Sequence, residues 1–333
     1  AGTVGFYQTD LKKIIAFSTC GQLGYMIFTC GLAQYSLSLY HLINHAFFKA
    51  LLFLGAGSII HALHNEQDIR KLGGLAKVLP HTYITLTIGT LAIIGTPFLA
   101  GFYSKDPILE ASLRIFGPFG EMIYLGGLLA AILTSLYSFR AYIYTFITCP
   151  ASNTKHYETT HEAQFNMALP LYILGIGSLT VGYMLSDLFL NDGSPFLTST
   201  ITFINLRSET YLFENEFITS LTKNLPTLCT LLSGLGINFY LLKFKQTAYK
   251  YDINIKVWTE FFTKKWNLDK LQNNLAELTV EHTKKRIIST FDNGLITLLQ
   301  ITYIPKILFK AANKGIPIET GFFDTYFLKI LIS

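Results

Sequence analysis

The sequence predicts an all-α fold: a polytopic membrane helix bundle with one discontinuous transmembrane helix and a long C-terminal amphipathic lateral helix. Three observations carry this. AVILMFWYC residues make up 50 % of the 333 residues and only 14 % are charged, where a soluble domain carries about 25 % charged residues. Six stretches reach the roughly 20 mostly apolar residues that a helix needs to cross hydrocarbon. Charge is also unevenly placed: residues 1–242 hold 12 basic and 13 acidic side chains (net −1), and residues 243–333 hold 14 and 8 (net +6). A water-soluble globule and a disordered chain are both excluded by this composition.

The six predicted spans cover about 14–34, 37–60, 82–114, 119–147, 164–186 and 225–243. The third is interrupted at Gly95-Thr96-Pro97-Phe98-Leu99-Ala100-Gly101. Proline has no N–H and the glycines loosen the backbone, so an unwound stretch is expected between two half-helices. In hydrocarbon such a break survives only where protein or a wet cavity satisfies the freed backbone groups. Loop charges agree with an even count. Lys12 and Lys13, then Arg70, Lys71 and Lys77, then Lys155, then Lys243, Lys245 and Lys250 fall on one side. The opposite loop 187–224 is net −3. The positive-inside rule assigns the basic face to the cytoplasm-equivalent compartment.

After Lys250 the pattern changes. Residues 252–270 are mixed and polar, with Trp258 and Trp266 as interfacial anchors. From Leu268 the apolar positions Leu268, Leu271, Leu275, Leu278, Ile288, Phe291, Leu295 and Leu298 advance in three- and four-residue steps or sums of such steps, one helical stripe. A helix over 268–304 would be roughly 55 Å long. It is too polar to span and is expected to lie on the basic membrane surface, ending or kinking at Pro305 and Gly315-Ile316-Pro317. The final run, Gly321 to Leu331, is too short to cross unaided.

Ionisable residues inside apolar helices are the candidate functional groups. His41, His45 and Lys49 recur every four residues on the second span, so they form a ladder about 12 Å tall on one face. Imidazole exchanges protons through either nitrogen near neutral pH, which suits a relay; the competing reading is histidines that bond backbone carbonyls and lock packing. Lys105 follows the break, with Asp106 and Glu110 as weaker candidates on the same half-helix. Arg140, late in the fourth span, is expected to snorkel to the basic face. His61, His64, His156 and His161 read as loop residues. Cys20, Cys30, Cys149 and Cys229 form no ligand spacing and are expected as buried small hydrophobes. There is no P-loop, no GxGxxG after a strand, no Ser/His/Asp arrangement and no metal cluster, so no cofactor is expected in this chain.

These residues also carry a family resemblance. Asp10-Leu11-Lys12-Lys13-Ile14-Ile15-Ala16-Phe17-Ser18-Thr19, Gln22-Leu23-Gly24-Tyr25-Met26 and His41-Leu42-Ile43-Asn44-His45-Ala46-Phe47-Phe48-Lys49-Ala50-Leu51-Leu52-Phe53-Leu54 resemble the antiporter-like membrane subunits of respiratory complex I. Glu66-Gln67-Asp68-Ile69-Arg70-Lys71-Leu72-Gly73-Gly74-Leu75 and Gly101-Phe102-Tyr103-Ser104-Lys105-Asp106 narrow it to one mitochondrial member; Tyr137-Ser138-Phe139-Arg140 and Val181-Gly182-Tyr183 continue the match. The likeness is dense over 1–150, thinner to 245 and architectural beyond.

The resemblance implies an organisation: 1–150 the second half-repeat of the antiporter-like core, 151–250 two further transmembrane helices with a long loop, 251–317 the lateral helix, and 318–333 a short terminal anchor. It implies proton translocation through a half-channel and a relay of Lys105, His41, His45 and Lys49, driven by quinone reduction elsewhere in the complex, with no redox centre or NADH site in this chain. The implied location is the mitochondrial inner membrane, with basic loops and lateral helix on the matrix side. The family's first half-repeat has no counterpart here, so a separate polypeptide from a split gene is expected to supply it; the alternative is that the sequence is a fragment. Other membrane-arm subunits and membrane lipids, cardiolipin among them, are the implied partners, and nucleic acid is not. Two other functions compete: a multisubunit sodium/proton antiporter component, and a transport-inactive structural strut.

Overall fold

The computed structural model describes residues 1–113, 118–149, 160–190, 220–244, 253–284, 296, 303–315 and 321–332. The chain divides into two compact units, Ala1–Thr263 and Lys264–Ser333.

The first unit is built of helices α1 (Gly2–Tyr7), α2 (Leu11–Gly31), α3 (Tyr35–Ala62), α4 (Pro80–Ile94), α5 (Ala100–Leu113), α6 (Pro118–Tyr142), α7 (Phe165–Leu190), α8 (Ser220–Phe244) and α9 (Ile253–Thr263). Five of its helical stretches are long and apolar enough to cross a membrane: 11–31, 35–62, 120–147, 165–190 and 225–242. The predicted third span is the pair α4 and α5, broken where Gly95-Thr96-Pro97 stands. Gly95 ends α4 in the left-handed region at φ 93°, a conformation open to glycine at no steric cost. The Leu91 carbonyl then takes the N–H groups of Gly95 and Thr96 and the Thr96 hydroxyl. Those bonds satisfy part of the backbone freed by the break within the chain. Beyond α6 the helix widens to a π turn at Ile143–Ile147, closed by Thr148 N–H on the Ile143 carbonyl at 3.0 Å.

α3 is the central helix and packs against α2, α4, α5 and α7; α6 packs against α1, α2, α4, α5 and α8. The interior holds Phe48, Leu51, Ile59, Ile69 and Leu72 with almost no exposure, but also Gln22, Asn44, Ser104 and Ser135. The exterior is apolar: Ile27, Leu129, Ile176, Met184 and Leu232 are all exposed. Large apolar side chains outside and polar ones within match a bundle whose solvent is lipid. The four cysteines are exposed, which corrects the expectation that they are buried. An apolar run in a membrane helix faces lipid as readily as protein, so apolarity alone does not place a residue inside.

The loops at the starts of α2, α4 and α7 and the end of α3 gather at one end. Leu11 N–H donates to the Gln67 carbonyl and Ile69 N–H to the Thr9 carbonyl, each at 2.9 Å. Arg70 bonds Asp68 at 2.6 Å and Lys71 bonds Glu66 at 2.9 Å, while Lys13 pairs with Asp10. Glu162 caps α4, accepting from His81 N–H at 2.7 Å and the Thr82 hydroxyl at 2.9 Å. Lys12, Lys13, Arg70 and Lys71 therefore share one end, as the loop charges predict. Lys155, Lys245 and Lys250 lie outside the described residues.

Arg140 does not snorkel outward. Its Nη1 donates to the carbonyls of Phe6 and Gln8 (2.8 Å for Gln8), and the guanidinium stands over the Phe6 and Tyr144 rings. The short α1 leaves carbonyls unpaired at its end, and five guanidinium donors are a natural partner for them. His61 and His64 are exposed at the end of α3 and just after it, and His161 is exposed; His156 lies outside the described residues.

In the second unit, Lys265, Trp266 and Asn267 take positive φ and separate what precedes from α10 (Leu268–Thr283). Leu268, Leu271, Leu275 and Leu278 form an exposed stripe on α10. α11 (Ile304–Gly315) carries Pro305 in its first turn, where proline costs no hydrogen bond, and ends at Gly315. α12 (Phe323–Ile332) has 10 residues, about 15 Å of helix. Most of the predicted lateral helix between 285 and 302 lies outside the described residues.

Candidate functional site

α2, α3, α5 and α6 meet around a seam of polar side chains excluded from the surface. His41 is 1 % exposed and both ring nitrogens are engaged: Nδ1 lies 2.9 Å from the Ser104 hydroxyl and Nε2 lies 3.1 Å from Gln22 Oε1. The histidine thus ties three helices together through side chains alone. One turn along α3, the His45 ring centroid stands 6.3 Å from that of His41. Among the described residues His45 Nε2 has no hydrogen-bond partner, nor has Lys49 Nζ, which stands 5.8 Å over the Phe53 ring. Among the described residues, Lys49 is the one charged side chain lining a small cavity between α2, α3, α4 and α6, whose other walls include Ile14, Leu52, Ile59 and Leu86. The i, i+4, i+8 ladder therefore exists as geometry, and its three members differ: His41 is fully bonded, His45 and Lys49 are not.

Lys105 is 2 % exposed. Its ammonium donates to the Thr134 hydroxyl at 3.1 Å and, at 3.4 Å, to the Ile94 carbonyl at the end of α4, and it stands 5.4 Å over the Tyr25 ring. The break creates this position. α4 ends with its carbonyls and negative dipole end pointing at the gap, where a cation is favoured, and α5 begins on the far side with Lys105 one turn in. Lys105 lies close enough to His41 to act on it electrostatically.

Asp106 is buried, and its Oδ2 has no hydrogen-bond partner among the described residues. No ion pair joins it to Lys105 among the described residues, because consecutive helical residues point about 100° apart. Glu110 follows Asp106 by one turn, is half-buried and acts on it electrostatically. Among the described residues the lysine's direct contacts are a hydroxyl, a carbonyl and a ring face, and Asp106 acts on it through space without an ion pair.

Sequence reasoning missed Gln22, Ser104, Thr134 and the pair Ser18–Tyr137, whose hydroxyls bond at 2.9 Å. Uncharged polar residues barely depress the hydropathy of a span, so charge alone does not find them. A helical projection could have: Ser18, Gln22 and Tyr25 lie at i, i+4 and i+7 on one face of α2.

Comparisons with known proteins agree with this architecture. The family model described as NADH:quinone oxidoreductase/Mrp antiporter, TM, matches residues 1–134. The protein named NADH-ubiquinone oxidoreductase chain 5 of Rhizopus stolonifer is 39 % identical over 336 residues, covering 99 % of this chain and 50 % of that protein. Its namesake in Marchantia polymorpha is 40 % identical over 337 residues, 100 % of this chain and 50 % of the other. That of Chondrus crispus is 43 % identical over 308 residues, 90 % and 46 %. The chain spans about half the length of the curated relatives it matches. Among solved structures, a chain of the Mrp complex from Dietzia sp. DQ12-45-1b aligns with a TM-score of 0.49 at 19 % identity, over 84 % of this chain and 30 % of that one. Residues 1–134 are thus similar to the family described as NADH:quinone oxidoreductase/Mrp antiporter, TM, and nearly the whole chain is similar to about half of proteins named NADH-ubiquinone oxidoreductase chain 5.

Proposed function

We propose that this chain is half of a proton-translocating membrane-arm subunit of respiratory complex I. Protons move along Lys105, His41, His45 and Lys49, with Asp106 and Glu110 as secondary groups, and the driving force comes from quinone reduction in other subunits. The observation that carries the reading is Lys105 itself: a lysine buried at a helix break whose hydrogen bonds, among the described residues, go to neutral groups while the Asp106 carboxyl acts on it only through space. Burying an ammonium outside a direct ion pair costs several kcal/mol, a cost that a purely structural span would shed by substitution. Moving one charge across 100 mV takes about 2.3 kcal/mol, so conformational coupling must supply what a static ladder does not.

In this reading the complex is an enzyme, NADH:ubiquinone reductase, and this chain contributes transport rather than electron transfer. The chain lies in the mitochondrial inner membrane with the Lys12, Lys13, Arg70 and Lys71 end toward the matrix. Residues 1–150 act as one half-repeat, 151–250 add two helices, 251–317 form the lateral helix and 318–333 anchor it. Anionic lipids such as cardiolipin meet the basic C-terminal quarter.

Lys105→Met in the intact complex, with quinone-coupled proton pumping as the readout, tests the core of the proposal. Pumping per electron is expected to fall with assembly retained; unchanged pumping in a normally assembled complex would leave the chain a structural strut. A second reading, a subunit of a multisubunit sodium/proton antiporter, is favoured by one observation: the matching family model covers both kinds of protein. Co-purification with hydrophilic NADH- and quinone-handling subunits separates the two.

A further inference from the structure

We infer that the Ser104 hydroxyl is a two-position contact that ties the protonation of His41 to the first turn of α5, and through it to the broken end of α4. This rests on the reading of His41 as a proton-bearing group. Gln22 turns its amide oxygen to the ring, and an amide oxygen only accepts, so His41 carries hydrogen on Nε2. Nδ1 of the neutral ring then accepts from the Ser104 hydroxyl at 2.9 Å. When His41 gains a second proton it sits on Nδ1, which becomes a donor, and the Ser104 oxygen becomes its acceptor. No covalent bond to Ser104 changes; its hydroxyl hydrogen has to turn to another acceptor.

Two acceptors are in reach, the carbonyls of Ala100 and Gly101, both 3.4 Å from Ser104 Oγ. That exceeds the 2.5–3.0 Å of an O–H···O bond, so making one draws the first turn of α5 in by about 0.5 Å. This turn has no slack toward α4. A Cβ built on Gly101 would fall 1.8 Å from the Ala92 carbonyl oxygen, so α5 rests directly on the last turn of α4. The Ile94 carbonyl that receives Lys105 belongs to that same turn, and Lys105 follows Ser104 in sequence. A charge on His41 is thus felt as a displacement at the position that holds the Lys105 ammonium.

The titratable groups facing His41 are His45 on α3 and Lys105 on α5. α2 faces it with the uncharged Gln22, and α4 and α7, also packed on α3, add no such group among the described residues. Ser104 is therefore a positioning residue: it transmits the state of His41 and carries no proton across the membrane itself.

The test compares wild type, Ser104→Ala, Ser104→Thr and Ser104→Cys in the assembled complex. His41 protonation is followed by infrared imidazole bands, assigned by their loss in His41→Gln. Amide hydrogen exchange of the segment 100–105 is followed over the same pH range. In wild type, exchange in this segment is expected to change by about tenfold as His41 protonates, the worth of one hydrogen bond to a charged group. Ser104→Ala keeps a titrating His41 and a flat exchange profile; Ser104→Thr restores the change. Should the alanine variant fail to assemble, Ser104→Cys, with its weakly bonding thiol, is expected to show a reduced change. A flat profile in wild type, or a full wild-type change in the alanine or cysteine variant, would overturn the inference. If Lys105→Met left pumping untouched while the exchange coupling persisted, the transport reading would fail and this contact would stand.

Discussion

Two polar clusters stitch the first unit together, and they do it by opposite means. At the basic end, Glu66, Asp68, Arg70 and Lys71 pair charge with charge in contact with water. In the seam, His41, Lys105, Ser104 and Thr134 hold their contacts with no ion pair, out of contact with solvent. Exposed pairs are screened and worth about 0.2–1 kcal/mol each, whereas a buried donor or acceptor that loses its partner costs about 1–3 kcal/mol, and more when it is charged. Sensitivity to substitution should therefore follow burial rather than charge.

The sharpest way to break this comparison uses no charge at all. Gly101→Ala places a methyl against the Ala92 carbonyl and forces α4 and α5 apart. A loss of about 3 kcal/mol or failure to assemble is expected, measured as the melting temperature and yield of the complex. Gly24→Ala, where nothing lies within 4 Å of the added carbon, is expected to change stability by less than about 0.5 kcal/mol. Equal effects at the two glycines would mean that the break is not tightly packed.

Thr134→Val comes next. It keeps the shape of the side chain and takes away the closest oxygen bonded to the Lys105 ammonium. The expected cost is about 2–3 kcal/mol in stability, with a fall in proton pumping, and Thr134→Ser should recover most of both.

The smallest effect belongs to the basic end. Hydrogen bonds from Lys71 and Arg70 hold the Glu66 and Asp68 carboxyls below their ordinary range. Groups depressed on folding stabilise above their unfolded pKa, so this contribution is present at neutral pH and is lost in acid as pH falls through the depressed folded values. Protection of residues 66–71 against proteolysis should weaken in that acid window by no more than about 1 kcal/mol. In Glu66→Gln with Asp68→Asn the protection should be lower at neutral pH and its acid dependence abolished.

The helices, the break and the four leading ionisable residues were legible because each is a strong local signal: an apolar run, a Gly-Thr-Pro interruption, a charge where charge is costly. What was not legible depends on which face of a helix meets which neighbour. Arg140 reads as a residue near the end of a span; only the fold brings the Phe6 and Gln8 carbonyls to it. Cys20 and Cys30 read as interior because they stand in apolar runs, yet they lie on the outside of the bundle. Ser104 and Gln22 carry no charge, and their importance comes from a histidine 63 and 19 residues away in the chain, respectively.

Gly101 has a bearing on how inherited or engineered variation in such a chain should be scored. The contact that sets Lys105 against the Ile94 carbonyl depends on an atom that is missing, the Cβ that residue 101 does not have. A damage map drawn by distance from ionisable groups would rank this position low, and one drawn by chemical similarity would call glycine to alanine mild. The physical ranking puts it first, since a single methyl there moves two half-helices at once.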